Sequence, residues 1–374
     1  TCQLPVTSSS CINAKQKAHN PFPFSPVKFS SFGEEIEVLR SLVKPKKVKV
    51  TGDDGQEYTL LCKPDDDLRK DSRMMEFSMV MNKLLKRDPE GRKRKLRIRV
   101  YSVIILNEKC GLIEWVPNTR GYKPTINRLY EQMGYNGYKK VQEVYKKAGR
   151  DIVSLKRNYK DRMLPIHPPV LHRWFLENFP EPSEWFGARL CFNRSTALMS
   201  MLGYIVGLGD RHGENILLDY SSGECVHVDL NCLFWKGMEF ETPERVPFRL
   251  TQNMVDAMGV TGYEGVFRKS SELTMEILRR NKDTLLSVLE TFIHDPLVEW
   301  GVSSRRYKQR LDKWGKARQI MDGIKDRLEG KDRRMDHTAV LIPLQVEGHV
   351  HSLISDATDI NNLCQMYVGW QAWL

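Results

Sequence analysis

Gly209-Asp210-Arg211-His212-Gly213-Glu214-Asn215-Ile216-Leu217-Leu218-Asp219 is followed by Tyr220-Ser221-Ser222-Gly223-Glu224 and then by Cys225-Val226-His227-Val228-Asp229. Two short apolar runs around a turn-rich pentapeptide predict an antiparallel β-hairpin. Centred on Ser222, that hairpin sets Asn215, which opens the first strand, opposite Asp229, which closes the second. An amide oxygen beside a carboxylate is a hard-oxygen pair suited to Mg²⁺, with water and phosphate oxygens completing the shell. Asp210 precedes Asn215 by five residues, in the loop that faces the same space. A polar surface loop accounts for the Asp-x-x-x-x-Asn interval alone. The hairpin and its terminal acid together favour a catalytic loop.

Working outward, the amino-terminal part alternates in the β manner at Val48 and Val50, turns at Asp53-Asp54-Gly55, and alternates again at Tyr58, Leu60 and Cys62. A helix follows over 66–86, then a second strand pair over 97–106 and 112–116. Beyond Pro117 long helical patterns dominate, clearest at 171–179, 196–208, 270–278 and 284–293. A small strand-rich unit and a larger helical one, joined by 114–118, form an arrangement suited to a cleft. Residues 1–33, with Pro5, Pro21, Pro23 and Pro26 among serines, read as a linker or strap. Residues 305–334 hold 12 Lys/Arg and 5 Asp/Glu with few large apolar groups, and read as a solvated segment. Val350, Leu353, Ile354, Ala357 and Ile360 then recur at helical spacing before the aromatic end at Tyr367, Trp370 and Trp373.

The 374 residues carry 58 Lys+Arg against 47 Asp+Glu, a net charge of +11. With 41% hydrophobic and 28% charged residues, whole-chain disorder is excluded. No stretch reaches the roughly 18 apolar residues of a membrane span. Thr1 opens the chain with no charged and apolar leader behind it, so no secretory signal is read and the chain reads as an excerpt of something longer. The eight cysteines form no C-x-x-C pair, and several sit in apolar runs, which points to reduced core thiols.

Protein-kinase catalytic loops hold a base Asp and a metal Asn at the interval of Asp210 and Asn215, followed by a strand pair ending in a metal Asp. Such chemistry also needs a cation on nucleotide phosphates. Lys63, closing the second strand in Leu61-Cys62-Lys63-Pro64, is the candidate, with Asp71 placed to hold it and Glu76 a weaker second. No G-x-G-x-x-G and no G-x-x-x-x-G-K-[ST] occurs, so 41–47 (Ser41-Leu42-Val43-Lys44-Pro45-Lys46-Lys47) is the expected substitute lid, acting through backbone N–H groups and the Ser41 hydroxyl. Trp115 offers a flat face to adenine, with the Glu114 carbonyl and Val116 N–H as its hydrogen-bonding pair.

These residues, in this order, resemble the phosphatidylinositol-3-kinase-related protein kinases. Gly207 through Leu217 is one signature. The stretch from Gln345-Val346-Glu347-Gly348-His349-Val350 to Gly369-Trp370 resembles the FATC domain of that family. The features of 41–47, 62–71, 231–234 and 292–300 are similar to its DNA-damage checkpoint branch. The resemblance implies an α+β, bilobal fold like that of phosphatidylinositol 3-kinases and protein kinases. It divides the chain into a strap (1–33), a β-rich amino-terminal lobe with its hinge (34–117), a helical carboxy-terminal lobe (118–300), a basic regulatory segment (301–341) and a helical FATC domain (342–374). It makes Asp210 the base or orienter of the substrate hydroxyl, with His212 beside the transferred phosphoryl group. Asn215 and Asp229 would hold Mg²⁺, with Mn²⁺ able to substitute. Lys63 would contact the ATP phosphates and Asp71 would position it. Tyr101, Trp115, Leu61, Leu217 and Val228 match positions walling the adenine pocket, and 229–248 the activation loop. Leu230 departs from the Phe usual after the metal Asp.

The resemblance further implies a nuclear serine/threonine kinase acting on protein Ser/Thr-Gln sites in checkpoint signalling. It would work with an ATRIP-like obligate partner and with activators bound outside this chain or at its C-terminus. Two rivals share the motif. A phosphoinositide lipid kinase would need a basic activation loop, whereas Lys236, Arg245 and Arg249 are offset here by Glu239, Glu241 and Glu244. An inactive scaffold would lack one of Asp210, Asn215, Asp229 or Lys63, and all are present. Direct DNA binding through 86–99 (8 basic, 2 acidic residues) or 305–334 is not expected, because a solvated basic face explains both. No membrane association is expected.

Overall fold

The computed structural model describes residues 27–39, 44–135, 141, 144, 151–293, 313–331 and 342–374. The chain divides into two compact units. The smaller contains the described residues up to Met81 together with Arg99–Pro117, and the larger contains Asn82–Ile98 and Asn118–Leu374.

The smaller unit is a five-stranded antiparallel sheet of order β1-β2-β3-β5-β4. Its strands are β1 (Phe29–Val38), β2 (Lys46–Gly52), β3 (Glu57–Pro64), β4 (Val103–Asn107) and β5 (Cys110–Glu114). The alternation read in the sequence sets the register, with Val48 opposite Leu60 and Val50 opposite Tyr58. Val50 and Leu60 are buried, with Val27, Phe29, Val48, Tyr58 and Leu112 packed around them. Gly55, at φ 74°, makes the expected turn, and the Tyr58 hydroxyl ties back to Asp54 at 2.6 Å. The helix α1 (Arg69–Arg87) buries Met74, Phe77, Met81, Leu84 and Leu85, with Leu68 just before it. Asp71 in its first turn and Lys86 and Arg87 in its last complement the helix dipole.

Two readings need correction here. The supposed strap runs into β1, which pairs along β2, so residues 29–33 are sheet; residues 1–26 lie outside the described residues. The strand expected over 97–106 is paired only from Val103. Upstream, Ile98 instead exchanges both backbone groups with the Asn82 side chain, at 2.8 and 2.9 Å. A side-chain amide there takes the place of a neighbouring strand.

In the larger unit, α2 (Pro89–Lys93) is capped by Asp88, whose carboxylate accepts from the Gly91 N–H. Strands β6 (Thr119–Gly121), β7 (Ile216–Asp219) and β8 (Cys225–His227) form an antiparallel sheet in that order. Of the helices α3 (Tyr122–Gln132), α4 (Ile152–Asn158), α5 (Leu171–Asn178) and α6 (Pro182–Val206), α3 packs against β6 and β7 and α6 against β8. Every residue of α6 from Ser195 to Val206 is buried, which makes it the centre of this unit. It ends at Gly207 in the left-handed conformation, φ 63°. Further on come α7 (Gln252–Ala257), α8 (Val266–Arg280), α9 (Lys282–Ile293), α10 (Lys313–Leu328), α11 (Val346–Thr358) and α12 (Ile360–Leu363). Among the described residues no helix is long and apolar enough to cross a membrane. Cys62, Cys110, Cys191, Cys225, Cys232 and Cys364 are free thiols. Cys2 and Cys11 lie outside the described residues.

The basic segment is not wholly solvated. Within it α10 buries Ala317, Ile320, Ile324 and Leu328, one stripe at helical spacing. Its Arg327 donates to the Tyr204 carbonyl at 2.6 Å and stacks 3.6 Å from the Trp235 ring centre. The charges hid this stripe, because small and medium apolar groups four residues apart barely raise the local hydropathy. Residues 305–312 and 332–334 lie outside the described residues.

Candidate active site

The loop after α6 is built as a series of backbone exceptions. Gly209 N–H donates to the Cys232 carbonyl at 2.8 Å, and Asp210 takes the left-handed conformation at φ 56°. The β7–β8 hairpin follows, its turn closed by Asp219. That carboxylate accepts from the N–H groups of Ser221 and Ser222 and from the Ser221 hydroxyl, at 2.8, 3.1 and 2.6 Å. The Ser195 hydroxyl of α6 accepts the Cys225 N–H at 2.9 Å and fixes the hairpin on the central helix.

The register differs by one residue from the sequence reading. Ile216 faces His227, so Asn215 lies opposite Val228, whose N–H it accepts at 3.1 Å, and Asp229 is one step beyond. In a regular strand that step turns Asp229 to the other face. Asp229 has φ 56°, and this left-handed residue breaks the alternation. The Asp219 N–H donates to Glu224 O at 2.9 Å, so four residues, 220–223, form the turn; its centre falls between Ser221 and Ser222 rather than on Ser222, which accounts for the offset.

Asn215 is buried, and its Nδ2 donates to the Asp210 carbonyl at 2.9 Å. Among the described residues nothing donates to its Oδ1. The amide is therefore locked with its oxygen as the atom left for a cation. Among the described residues no three His, Cys, Asp or Glu side chains converge on a metal position. An Asn–Asp pair fits a hard divalent ion whose other ligands are phosphate and water.

Arg211 organises these parts. It is buried, and its guanidinium donates to Gly209 O at 2.9 Å, Val228 O at 2.7 Å and the Asp229 carbonyl. One side chain thus gathers the loop and the far end of the hairpin. The sequence analysis missed it, although a single arginine between the candidate base and His212 was the available signal. Arg249 was missed likewise. It donates to Arg211 O at 3.3 Å and to the carbonyls of Trp370 and Gln371 at 2.7 and 2.9 Å, with its guanidinium 4.4 Å from the Trp370 ring centre. Burial lowers its pKa to about 10. Through this residue the carboxy-terminal tail is linked to the loop that holds Asp210.

His212 accepts the Glu214 N–H on Nδ1 at 3.2 Å, which leaves the ring proton of the neutral form on Nε2. Burial lowers its pKa, against the pull of Asp210. A neutral imidazole presenting an N–H can donate to a phosphoryl oxygen. Leu217 and Val228 are partly exposed apolar groups on the hairpin. His227 is half-buried, with its Nδ1 enclosed and without a partner among the described residues; desolvation pushes its pKa down to about 3, with Arg211 and Arg249 adding to the shift.

In the smaller unit, Lys63 is the last residue but one of β3, its ammonium 2.9 Å from Asp66, an ion pair not foreseen from the sequence. Asp71 is wholly buried in the first turn of α1. Glu76 is bonded to Arg73 at 2.9 Å on an exposed face. Leu61 is partly exposed and Tyr101 buried, its N–H against the Met75 sulfur at 3.4 Å. Glu114 and Val116 are buried, and Ser102 N–H binds the Glu114 carboxylate at 2.9 Å. Trp115 is partly exposed, with Lys47 Nζ 4.7 Å from its ring centre. The expected lid lies in the connection between β1 and β2, with Lys46 and Lys47 already in strand; Ser41 is outside the described residues.

Residues 57–302 match the family "Phosphatidylinositol 3- and 4-kinase", and residues 343–374 match "FATC domain". The chain is 48% identical over 347 residues to the serine/threonine-protein kinase ATR of Arabidopsis thaliana, covering 92% of this chain and 12% of that protein. It is 47% identical over 369 residues to the protein kinase rad3 of Schizosaccharomyces pombe, covering 96% and 15%. It therefore spans about a seventh of the length of these relatives. Among solved structures, the FAT and kinase domain of CtTel1 superposes with a TM-score of 0.83 at 34% identity, over 96% of this chain and 25% of that one. With the loop and hairpin in place and these matches beside them, the chain belongs to the phosphatidylinositol 3- and 4-kinase family and carries a FATC domain at its end.

Proposed function

We propose that this chain is the catalytic part of a serine/threonine protein kinase that transfers the ATP γ-phosphate to protein Ser/Thr-Gln sites in DNA-damage and replication-stress signalling. The observation that carries the reading is the Arg211 clamp, which ties the loop holding Asp210 to the hairpin end holding Asp229 and leaves the Asn215 oxygen for a cation. In this reading Asn215 and Asp229 hold Mg²⁺, with Mn²⁺ able to replace it. An ion held by these two residues would supply charge neutralisation on the transferred group. Asp210 orients the substrate hydroxyl and takes its proton. The Nε2–H of His212 donates to the phosphoryl group. Lys63 binds ATP phosphates, with Asp66 and Asp71 steadying it. Leu61, Tyr101, Glu114, Trp115, Val116, Leu217 and Val228 serve adenine.

The activation segment supports protein over lipid. Of its three cations, Arg249 is spent on tail carbonyls, so only Lys236 and Arg245 face solvent, beside Glu239 and Glu241. A multiply charged inositol phosphate would be held poorly there. The family resemblance implies a nuclear setting, an ATRIP-like obligate partner, and activators bound outside this chain or at its C-terminus. The test is transfer of labelled phosphate from Mg²⁺–ATP to a Ser-Gln peptide, a Ser-Ala peptide and phosphatidylinositol vesicles. Labelling of the Ser-Gln peptide above the other two is expected, and labelling confined to the vesicles refutes the reading.

A further inference from the structure

Glu244 stands in the segment after the hairpin, and the reaction as described gives it no part. Its Oε1 accepts the Asp210 N–H at 2.7 Å, while its own N–H donates to Gly237 O at 3.0 Å. The carboxylate fills a space that two glycines leave open. A Cβ at Gly209 would lie 2.6 Å from Oε2, and one at Gly237 only 2.1 Å. Gly209 belongs to the catalytic loop and Gly237 to the turn Lys236–Glu239, so two separate segments are shaped around one side chain. Asp210 holds a left-handed backbone, φ 56°, which is strained for a residue that carries a side chain. A charge-assisted bond to its N–H offsets that strain.

We infer that Glu244 is a positioning residue whose carboxylate clamps the Asp210 backbone, making the geometry of the catalytic loop depend on the folding of segment 229–248. This rests on the reading of Asp210 as the group that orients the substrate hydroxyl. The ionisable groups facing Glu244 are Asp210 and Arg211 on the loop and Cys232 on the segment, with Lys236 beyond the last. Burial pushes the Glu244 carboxyl up to about 7; the Asp210 N–H opposes the rise, the Asp210 charge adds to it and Arg211 opposes it. The clamp therefore changes charge within the working pH range. Ionised, Glu244 is the stronger acceptor and the loop is held; protonated, it is the weaker one.

The test compares the whole chain with Glu244→Gln and Glu244→Ala. Glutamine keeps an acceptor oxygen and mimics the protonated acid. Wild-type kcat on a Ser-Gln peptide should rise through about pH 7, and Glu244→Gln should lack that step and stay near the wild-type acid plateau. Glu244→Ala should lose roughly ten- to a hundredfold in kcat, with KM for ATP changed less than about threefold. Exchange of the Asp210 amide with deuterium, which needs no turnover, should speed up about tenfold or more in Glu244→Ala. Superimposable pH profiles of wild type and Glu244→Gln overturn the inference. So does unchanged Asp210 protection in Glu244→Ala, whatever the activity. Should the alanine variant not fold, the glutamine profile decides. A wild type that labels no peptide but loses Asp210 protection in Glu244→Ala would refute the kinase reading and leave the clamp standing.

Discussion

Arg211→Lys tests the clamp at the centre of the site. The guanidinium spans Gly209 O, Val228 O and Asp229 O, positions 20 residues apart in the chain. An ammonium is a single point with three donors and lacks the planar fork, so it can follow one or two of these carbonyls. At least one charge-assisted bond is lost, at roughly 1.5–3 kcal/mol, and the orphaned buried carbonyl adds a further 1–2 kcal/mol or so. A total near 3 kcal/mol, expressed as misplacement of Asp210 against Asp229, corresponds to about a hundredfold in kcat. Thermal unfolding should change less, because α6 and its buried neighbours are untouched. The assay is steady-state labelling of a Ser-Gln peptide beside a calorimetric melt. A kcat within about threefold of wild type would refute the claim that this side chain sets the geometry.

Three further outcomes follow from the same structure. Asp229→Ala should abolish phosphoryl transfer while leaving the melting midpoint within a few degrees of wild type, because Asp229 is only partly buried; retained turnover would remove it from the metal site. His227 has a folded pKa far below its unfolded value, so the unfolded chain binds more protons between about pH 3 and 6.5 and stability falls as pH drops through that window. Denaturant midpoints measured from pH 7 to 4 should therefore decline less steeply in His227→Leu, and an equal slope would contradict the assignment. Truncation after Gly369 removes the carbonyls of Trp370, Gln371, Ala372 and Trp373 that accept from Arg249, Tyr159 and Gln252. It should lower both the melting midpoint and kcat, the latter more than tenfold given a buried guanidinium left with only its 3.3 Å bond to the Arg211 carbonyl; unchanged kcat would show the tail to be passive.

The sheet was legible because period-two alternation at Val48, Val50, Tyr58 and Leu60 survives directly as register. The long helices were legible for a similar reason, their apolar spacing being intact. Features set by tertiary contact were not. Strand β1 carries exposed Phe32, Ile36 and Val38 on a lone edge, with bulges that spoil its alternation. Helix α10 was masked by its charges. In the site, Asp210, Asn215 and Asp229 could be singled out from spacing, and His212 from the family resemblance. The one-residue offset could not, since it depends on where Asp219 closes the turn and on a left-handed Asp229. Arg211, Arg249 and Glu244 act through backbone carbonyls and N–H groups of distant segments, and no sequence interval announces such partners.

The central claim is that Asn215 and Asp229 serve one divalent cation, and a change of metal preference tests it most directly. In Asp229→Cys a thiolate replaces the carboxylate, a ligand suited to softer ions and poorly suited to Mg²⁺. Activity near background with Mg²⁺ is expected, with at least a tenfold recovery when Cd²⁺ is supplied and no such gain in the wild type. Undiminished Mg²⁺ activity in Asp229→Cys would contradict it.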